Sequence, residues 1–321
     1  MRFLAALLTL LIAAVATAGV TLRTPETDYE TMLSRYGGAD ARFARTEDGL
    51  EVHYRDQGFA EGPVVVLVHG SNASLHTWEP LVERLKGAYR LISYDQPGHG
   101  LTGAHPDGDY SADGMIDALE AVLETAEVDE FYLAGNSMGG WVAWRYALEA
   151  PERLEGLVLL DASGAPLPPE VEANVYLGAK LMQHPVGRWM VKRYTPRFLV
   201  EQSLRDSVTQ DQIVTDEMVD RYWELVRLPR NKEATLARAT TDREPEVASR
   251  LGEIGTPTLI IWGADDEVVP VEAAAVFDER IPNSEAVIIE NVGHLPMEEA
   301  PDEIAGLLEN WIARVEADGA Q

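Results

Sequence analysis

The chain has 321 residues, with 26 Lys and Arg against 54 Asp and Glu, for a net charge of −28 at pH 7. An apolar fraction of 46% excludes a disordered chain, and the acidic excess argues against nucleic acid as a partner, because a phosphate backbone needs a basic footprint. The absence of Cys removes disulfides, thiolate catalysis and Cys-ligated metals from consideration.

In chain order, Met1-Arg2 precede an apolar run from Phe3 to Leu22. Its first part reads as a secretory signal, with an apolar region from Phe3 to Val15 and Ala16-Thr17-Ala18 before Gly19 as the cleavage site. At about 20 residues the whole run equally suits a retained bilayer anchor. Both readings export the domain, since the charge on Arg2 stays on the cytoplasmic side. Residues 23–40 are polar with Pro25, Gly37 and Gly38, and read as a tether.

From Ala41 the sequence alternates strand and helix patterns. Glu51-Val52-His53-Tyr54-Arg55 alternates polar and apolar, as a half-buried edge strand does. Val64 to Val68 is a continuous β-branched run, expected of a strand buried on both faces. Residues 90–95, 131–136, 157–161, 258–263 and 286–290 read as further short strands. Met115, Leu119, Val122 and Leu123 recur at helical spacing, as do Ile304, Leu307, Leu308, Trp311 and Val315 after Pro301. This alternation predicts a mainly parallel α/β sheet with helices on both faces. It breaks between Ala162 and Arg250, where helical clusters are separated by prolines; that stretch reads as a helical insertion. The expected organisation is therefore 1–22 signal or anchor, 23–40 tether, 41–161 and 251–316 core, 162–250 insertion and 317–321 tail.

Gly135-Asn136-Ser137-Met138-Gly139-Gly140 follows the strand at 131–134 and opens a helix. A sharp strand-to-helix turn of small residues exposes the Ser137 hydroxyl beside the free N–H groups of a helix start. The plain alternative is a glycine turn whose serine caps the helix. Serine attack needs a base and an acid to orient it. His294 follows the strand ending at Glu290, and Asp265 and Asp266 follow the strand ending at Gly263. All three residue types lie just past the C-terminal ends of strands, where ligands gather in parallel sheets.

With His69-Gly70-Ser71-Asn72 and Asp95-Gln96-Pro97-Gly98-His99-Gly100 also in place, the sequence resembles the α/β-hydrolase fold superfamily from about residue 41 to 316. The resemblance is to its serine-nucleophile branch, which has a helical cap. It implies a mostly parallel eight-stranded sheet, with 162–250 as the cap inserted after the sixth strand. It also implies Ser137 as nucleophile, His294 as base and Asp266, three residues after Gly263, as the acid. Asp265 is the alternative, and Asp161 occupies a position that some members use. The oxyanion hole would combine the backbone N–H of Met138 with that of Ser71 or its neighbour Asn72. The implied activity is hydrolysis of a small or medium apolar carboxylic ester. Carbon–carbon bond hydrolysis of ring-fission diketones is the alternative, since those enzymes have a similar elbow. Against it, the loop after His69 lacks their glycine- and proline-bearing sequence, and no tryptophan soon follows His294. A non-catalytic binding protein is a remote third reading.

Other motifs yield less. Gly98-His99-Gly100-Leu101-Thr102-Gly103 has dinucleotide-loop spacing, but a loop follows where a helix should start. The seven histidines (His53, His69, His76, His99, His105, His184 and His294) show no metal-ligand spacing, so neither metal nor other cofactor is expected. The expected partner is a small-molecule substrate, with a membrane tether through residues 1–22. Trp141 and Trp144 read as core, Trp189 and Trp223 as packing within the insertion, and the acidic stretch from Glu298 to Glu303 as a solvated face.

Overall fold

The computed structural model describes residues 24–167, 171, 184–241 and 243–319. The signal or anchor run at residues 1–22 lies outside the described residues. Among the described residues no helix is long and apolar enough to cross a membrane.

Eight strands form one sheet: β1 (Arg42–Arg45), β2 (Glu51–Gly58), β3 (Val64–Val68), β4 (Arg90–Tyr94), β5 (Phe131–Asn136), β6 (Leu154–Leu160), β7 (Thr258–Gly263) and β8 (Ser284–Ile289). Their spatial order is β1-β2-β4-β3-β5-β6-β7-β8. β2 runs antiparallel to β1 and β4, and every other pairing is parallel. The largely apolar β3, β5 and β7 each have a strand on both sides, and all their residues but Val64 are buried, as expected where both faces of the sheet are covered.

Helices α1 (Glu79–Leu85), α2 (Ala112–Thr125) and α3 (Met138–Glu149) connect the first strands. Between β6 and β7 the chain inserts α4 (Pro185–Arg193), α5 (Arg197–Arg205), α6 (Asp216–Leu225) and α7 (Asn231–Arg238). The fold closes with α8 (Glu272–Arg280) and α9 (Pro301–Gly319). Ser111 starts α2 by accepting the Gly114 N–H at 3.2 Å, and the periodic Met115, Leu119, Val122 and Leu123 are all buried. One core lies on each side of the sheet: α2, α3 and α8 cover one face, and α1 and α9 cover the other.

Chain order reverses direction between β3 and β5, which pair directly, Val68 opposite Gly135. That reversal opens a crevice at the C-terminal strand ends. It brings the loop after β3 beside the turn after β5.

Three expectations need correction. The strand at 51–58 is not an edge, because β1 pairs along its outer side. Residues 23–40 are not a plain tether. Residues 29–37 are helical, and Met32 is buried with Leu101, Leu225 and Leu228, with Tyr29, Leu33 and Tyr36 packed around them. Glu298–Glu303 is not wholly a solvated face: the Glu298 carboxylate accepts from Thr77 and Tyr222 at 2.5 and 2.9 Å, and Glu299 is buried.

Candidate active site

Ser137 follows β5 and immediately precedes α3, with φ 54° and ψ −116°. A β-branched or bulky residue would strain there, and the backbone persists because both sides fix it. The Ser137 N–H donates to Leu160 O at 3.0 Å, and its carbonyl accepts from Trp141 and Ser163. Gly139 must be glycine: a Cβ there would overlap the Val68 and His69 carbonyl oxygens. A Cβ on Gly70 would meet Asn136 Oδ1 at 2.9 Å and Ser137 Cβ at 3.1 Å, so the loop after β3 lies directly against the serine.

Ser71 and Met138 therefore approach the same point. Ser71 Oγ lies 3.2 Å from Met138 Sδ. Among the described residues neither backbone N–H has a backbone acceptor. Met138 is the first residue of α3, where the helix leaves N–H groups unpaired. Asn72 follows in the left-handed region, at φ 61°. The loop is braced from behind by His69. Its Nδ1–H donates to Gly70 O at 2.7 Å, and its Nε2 accepts the Gln96 N–H at 3.0 Å. Burial lowers the pKa of His69, which keeps the ring neutral and fits that tautomer.

His294 follows β8 and Asp266 follows β7. The imidazole Nδ1 lies 2.7 Å from Asp266 Oδ2. Asp266 Oδ1 accepts the Val268 and Val269 N–H groups at 2.7 and 3.0 Å, which orients the carboxylate. Asp265 has no such contact with the histidine; its N–H donates to Val292 O. Asp161 is drawn in as well. It follows β6, which lies next to β7, with φ 46° and no exposure, and its Oδ1 accepts the Gly263 N–H at 2.9 Å. Ligand-type atoms of Asp161, Asp266 and His294 lie within 4.8 Å of one another. A cation could use such a trio, but the imidazole nitrogen nearest the carboxylates is already committed to Asp266.

Several supporting residues have no motif of their own in the sequence. Asn136 Nδ2 donates to Leu160 O and His294 O, at 3.2 and 3.1 Å, tying the strand before the serine to the histidine loop. Glu299 accepts the Gly293 N–H at 2.8 Å on one oxygen, and the Thr209 and Gln210 N–H groups at 2.7 and 3.1 Å on the other. The His294 N–H donates to Ser207 O at 2.8 Å. The inserted helices thus meet the histidine loop through the segment after α5. They meet the loop after β3 through α7, where Thr235 Oγ1 donates to Asn72 Oδ1 at 3.4 Å. Trp141 and Trp144 are core, Trp223 donates to Thr195 O, and Trp189 is exposed rather than packed inside the insertion.

A family profile described as alpha/beta hydrolase fold matches residues 63–301. The chain is 31% identical over 270 residues to 2-hydroxy-6-oxononadienedioate/2-hydroxy-6-oxononatrienedioate hydrolase 2 of Pseudomonas putida, an alignment covering 80% of this chain and 90% of that protein. It is 26% identical over 273 residues to Lipase 1 of Psychrobacter immobilis, covering 80% and 79%. Among solved structures, a malate-bound thermophilic esterase from Thermogutta terrifontis aligns with a TM-score of 0.71 at 27% identity, covering 86% of this chain and 99% of that one.

Proposed function

The chain belongs to the alpha/beta hydrolase fold family, and on that premise we propose that this enzyme is a serine hydrolase cleaving a small or medium apolar carboxylic ester. Ser137 attacks the carbonyl carbon as His294 takes its proton. Asp266 holds the imidazole in the tautomer that leaves Nε2 free and stabilises the imidazolium. The N–H groups of Ser71 and Met138 receive the oxyanion. His294 then returns the proton to the leaving alcohol, and water, activated by the same ring, releases the acid. The inserted helices serve as the cap over this site, and the enzyme is exported through its apolar N-terminal run.

The observation that carries this reading is the 2.7 Å bond from His294 Nδ1 to Asp266, together with the 3.1 Å bond that ties Asn136, the residue before Ser137, to His294 O. A second reading, carbon–carbon hydrolysis of a ring-fission diketone, has the 31% identical Pseudomonas putida relative in its favour, together with the Gly135-Asn136-Ser137-Met138-Gly139-Gly140 elbow.

The test is a series of p-nitrophenyl esters of graded chain length, run beside a ring-fission diketone. Ester turnover is expected, with a Ser137→Ala loss on the order of 10⁴-fold or more. Diketone turnover exceeding that of every ester would decide for the second reading. Failure of a serine-directed phosphonate to label Ser137 would sink both.

A further inference from the structure

Residues 184–200 contain Arg188, Lys192, Arg193 and Arg197 and no acidic residue, in a chain of net charge −28. They build α4 and the start of α5. Here too lie Val186, Trp189, Phe198 and Leu199, with 58, 52, 65 and 52% of their surface exposed. The other strongly exposed large apolar side chains among the described residues, Phe43, Phe59 and Ile288, are scattered over distant strands and loops. Val186, Trp189 and Arg193 follow helical spacing and share one side of α4. The Arg193 guanidinium lies 5.4 Å from the Trp189 ring centre. Lys192 is paired with Glu233, and Arg197 with Asp216 and Asp220.

The way the chain enters the fold points to the same place. The Thr24 N–H donates to Arg193 O at 3.0 Å, the Thr195 N–H donates to Thr24 Oγ1 at 3.0 Å, and Lys232 Nζ donates to Thr24 O at 2.8 Å. The apolar run ending at Leu22 is therefore followed, two residues later, by a residue pinned to the end of α4. Two residues span at most about 7 Å.

We propose that the exposed side of α4 and the start of α5 docks on an anionic lipid bilayer, with Val186, Trp189, Phe198 and Leu199 at headgroup depth and Arg188 and Arg193 against lipid phosphates. Indole rings and arginines are the side chains that suit that depth. Charge selects the partner. An anionic surface repels most of this molecule and attracts this acid-free basic segment, which also fixes orientation. A second copy is disfavoured in a two-fold pairing through this face, which would set Arg188 and Arg193 against their own counterparts. The chain that follows the apolar run, a run about long enough to span a bilayer, enters the described fold at Thr24 against the end of α4. The proposal does not depend on which bond the enzyme cleaves.

The test uses the full chain with vesicles carrying brominated acyl chains, made of phosphatidylcholine alone or mixed with phosphatidylglycerol. Trp189 is the most exposed tryptophan; Trp78, Trp141, Trp144, Trp262 and Trp311 are buried, and Trp223 lies under Arg227. Quenching of tryptophan emission is expected with the anionic vesicles and is lost in W189F. It should fall at least about threefold in R188E/R193E and weaken with added salt. F198A/L199A, which keeps every charge, should also reduce it. Equal fractional quenching in the parent and W189F overturns the proposal. So does vesicle association without quenching, which would mean that the N-terminal run tethers the chain while this face stays in water. Self-association without quenching overturns it in favour of a second copy.

Discussion

Asp161 and Asp266 carry the same carboxyl group just past the ends of adjacent strands, and their surroundings separate them. Asp266 receives two backbone N–H groups and the imidazole of His294. Asp161 receives one N–H on Oδ1, and its buried Oδ2 has no donor within reach. Burial, and then the negative charge of Asp266, push its pKa well above the ordinary carboxyl range. That shift favours the protonated carboxyl, which relieves the unsatisfied buried charge. The consequence for stability has a definite sign. The folded state holds this proton more tightly than the unfolded chain, whose carboxyl titrates near about 3.9. The stabilisation is complete below that value and is lost as pH rises through the raised folded value. Asp161→Asn cannot ionise, so the melting temperature of the parent relative to this variant should fall steadily from about pH 4 upward. A difference independent of pH across calorimetric scans would contradict a protonated Asp161. The resemblance to the hydrolase family ranks Asp266 first, since it stands three residues after Gly263. The same resemblance names Asp161 as an alternative, but only the fold shows that it is wholly buried beside Asp266.

Between elements, Glu299 is the clearest joint. It lies in the turn between His294 and α9, and its two oxygens hold the histidine loop and the segment after α5 at once. All three of its recorded partners are N–H donors, so a side chain that accepts at both ends is required. Glu299→Gln keeps the shape but points an NH₂ at a donor. The cost is about 1–3 kcal/mol for the unsatisfied buried group, roughly 2–10 °C in melting temperature. Because the His294 N–H is bound to Ser207 O in the same segment, kcat should fall more than KM rises. Amide exchange at residues 206–210 should accelerate. An unchanged melting temperature with unaltered exchange there would refute this role. In the sequence Glu299 is one of several acids in a row, and a solvated face is the natural reading. Only the approach of residues 207–210 from the insertion buries it.

For the molecule as a whole, the −28 charge bears on stability rather than fold. Ion pairs such as Arg84 with Asp302 and Arg250 with Glu253 are exposed and individually weak. The surplus of carboxylates dominates, and the compact state concentrates it. Salt shortens the screening length from about 30 Å at 0.01 M to about 10 Å at 0.1 M. The melting temperature should therefore rise with sodium chloride over that range. A fall would mean that the ion pairs outweigh the net repulsion.

The sequence by itself determined the alternation of strands and helices, the place of the insertion and the candidate serine, aspartate and histidine. Each is written in local terms: a run of β-branched residues, a helical period, a glycine-flanked turn past a strand. The tertiary structure alone decided which carboxylates are buried, that residues 29–37 pack as helix against Leu101 and Leu225, and that Trp189 faces outward at the point where the chain enters the fold. The physical reason is range. Backbone preference and periodicity act over a few residues, whereas burial and pKa depend on segments that become neighbours only once the sheet has ordered its strands.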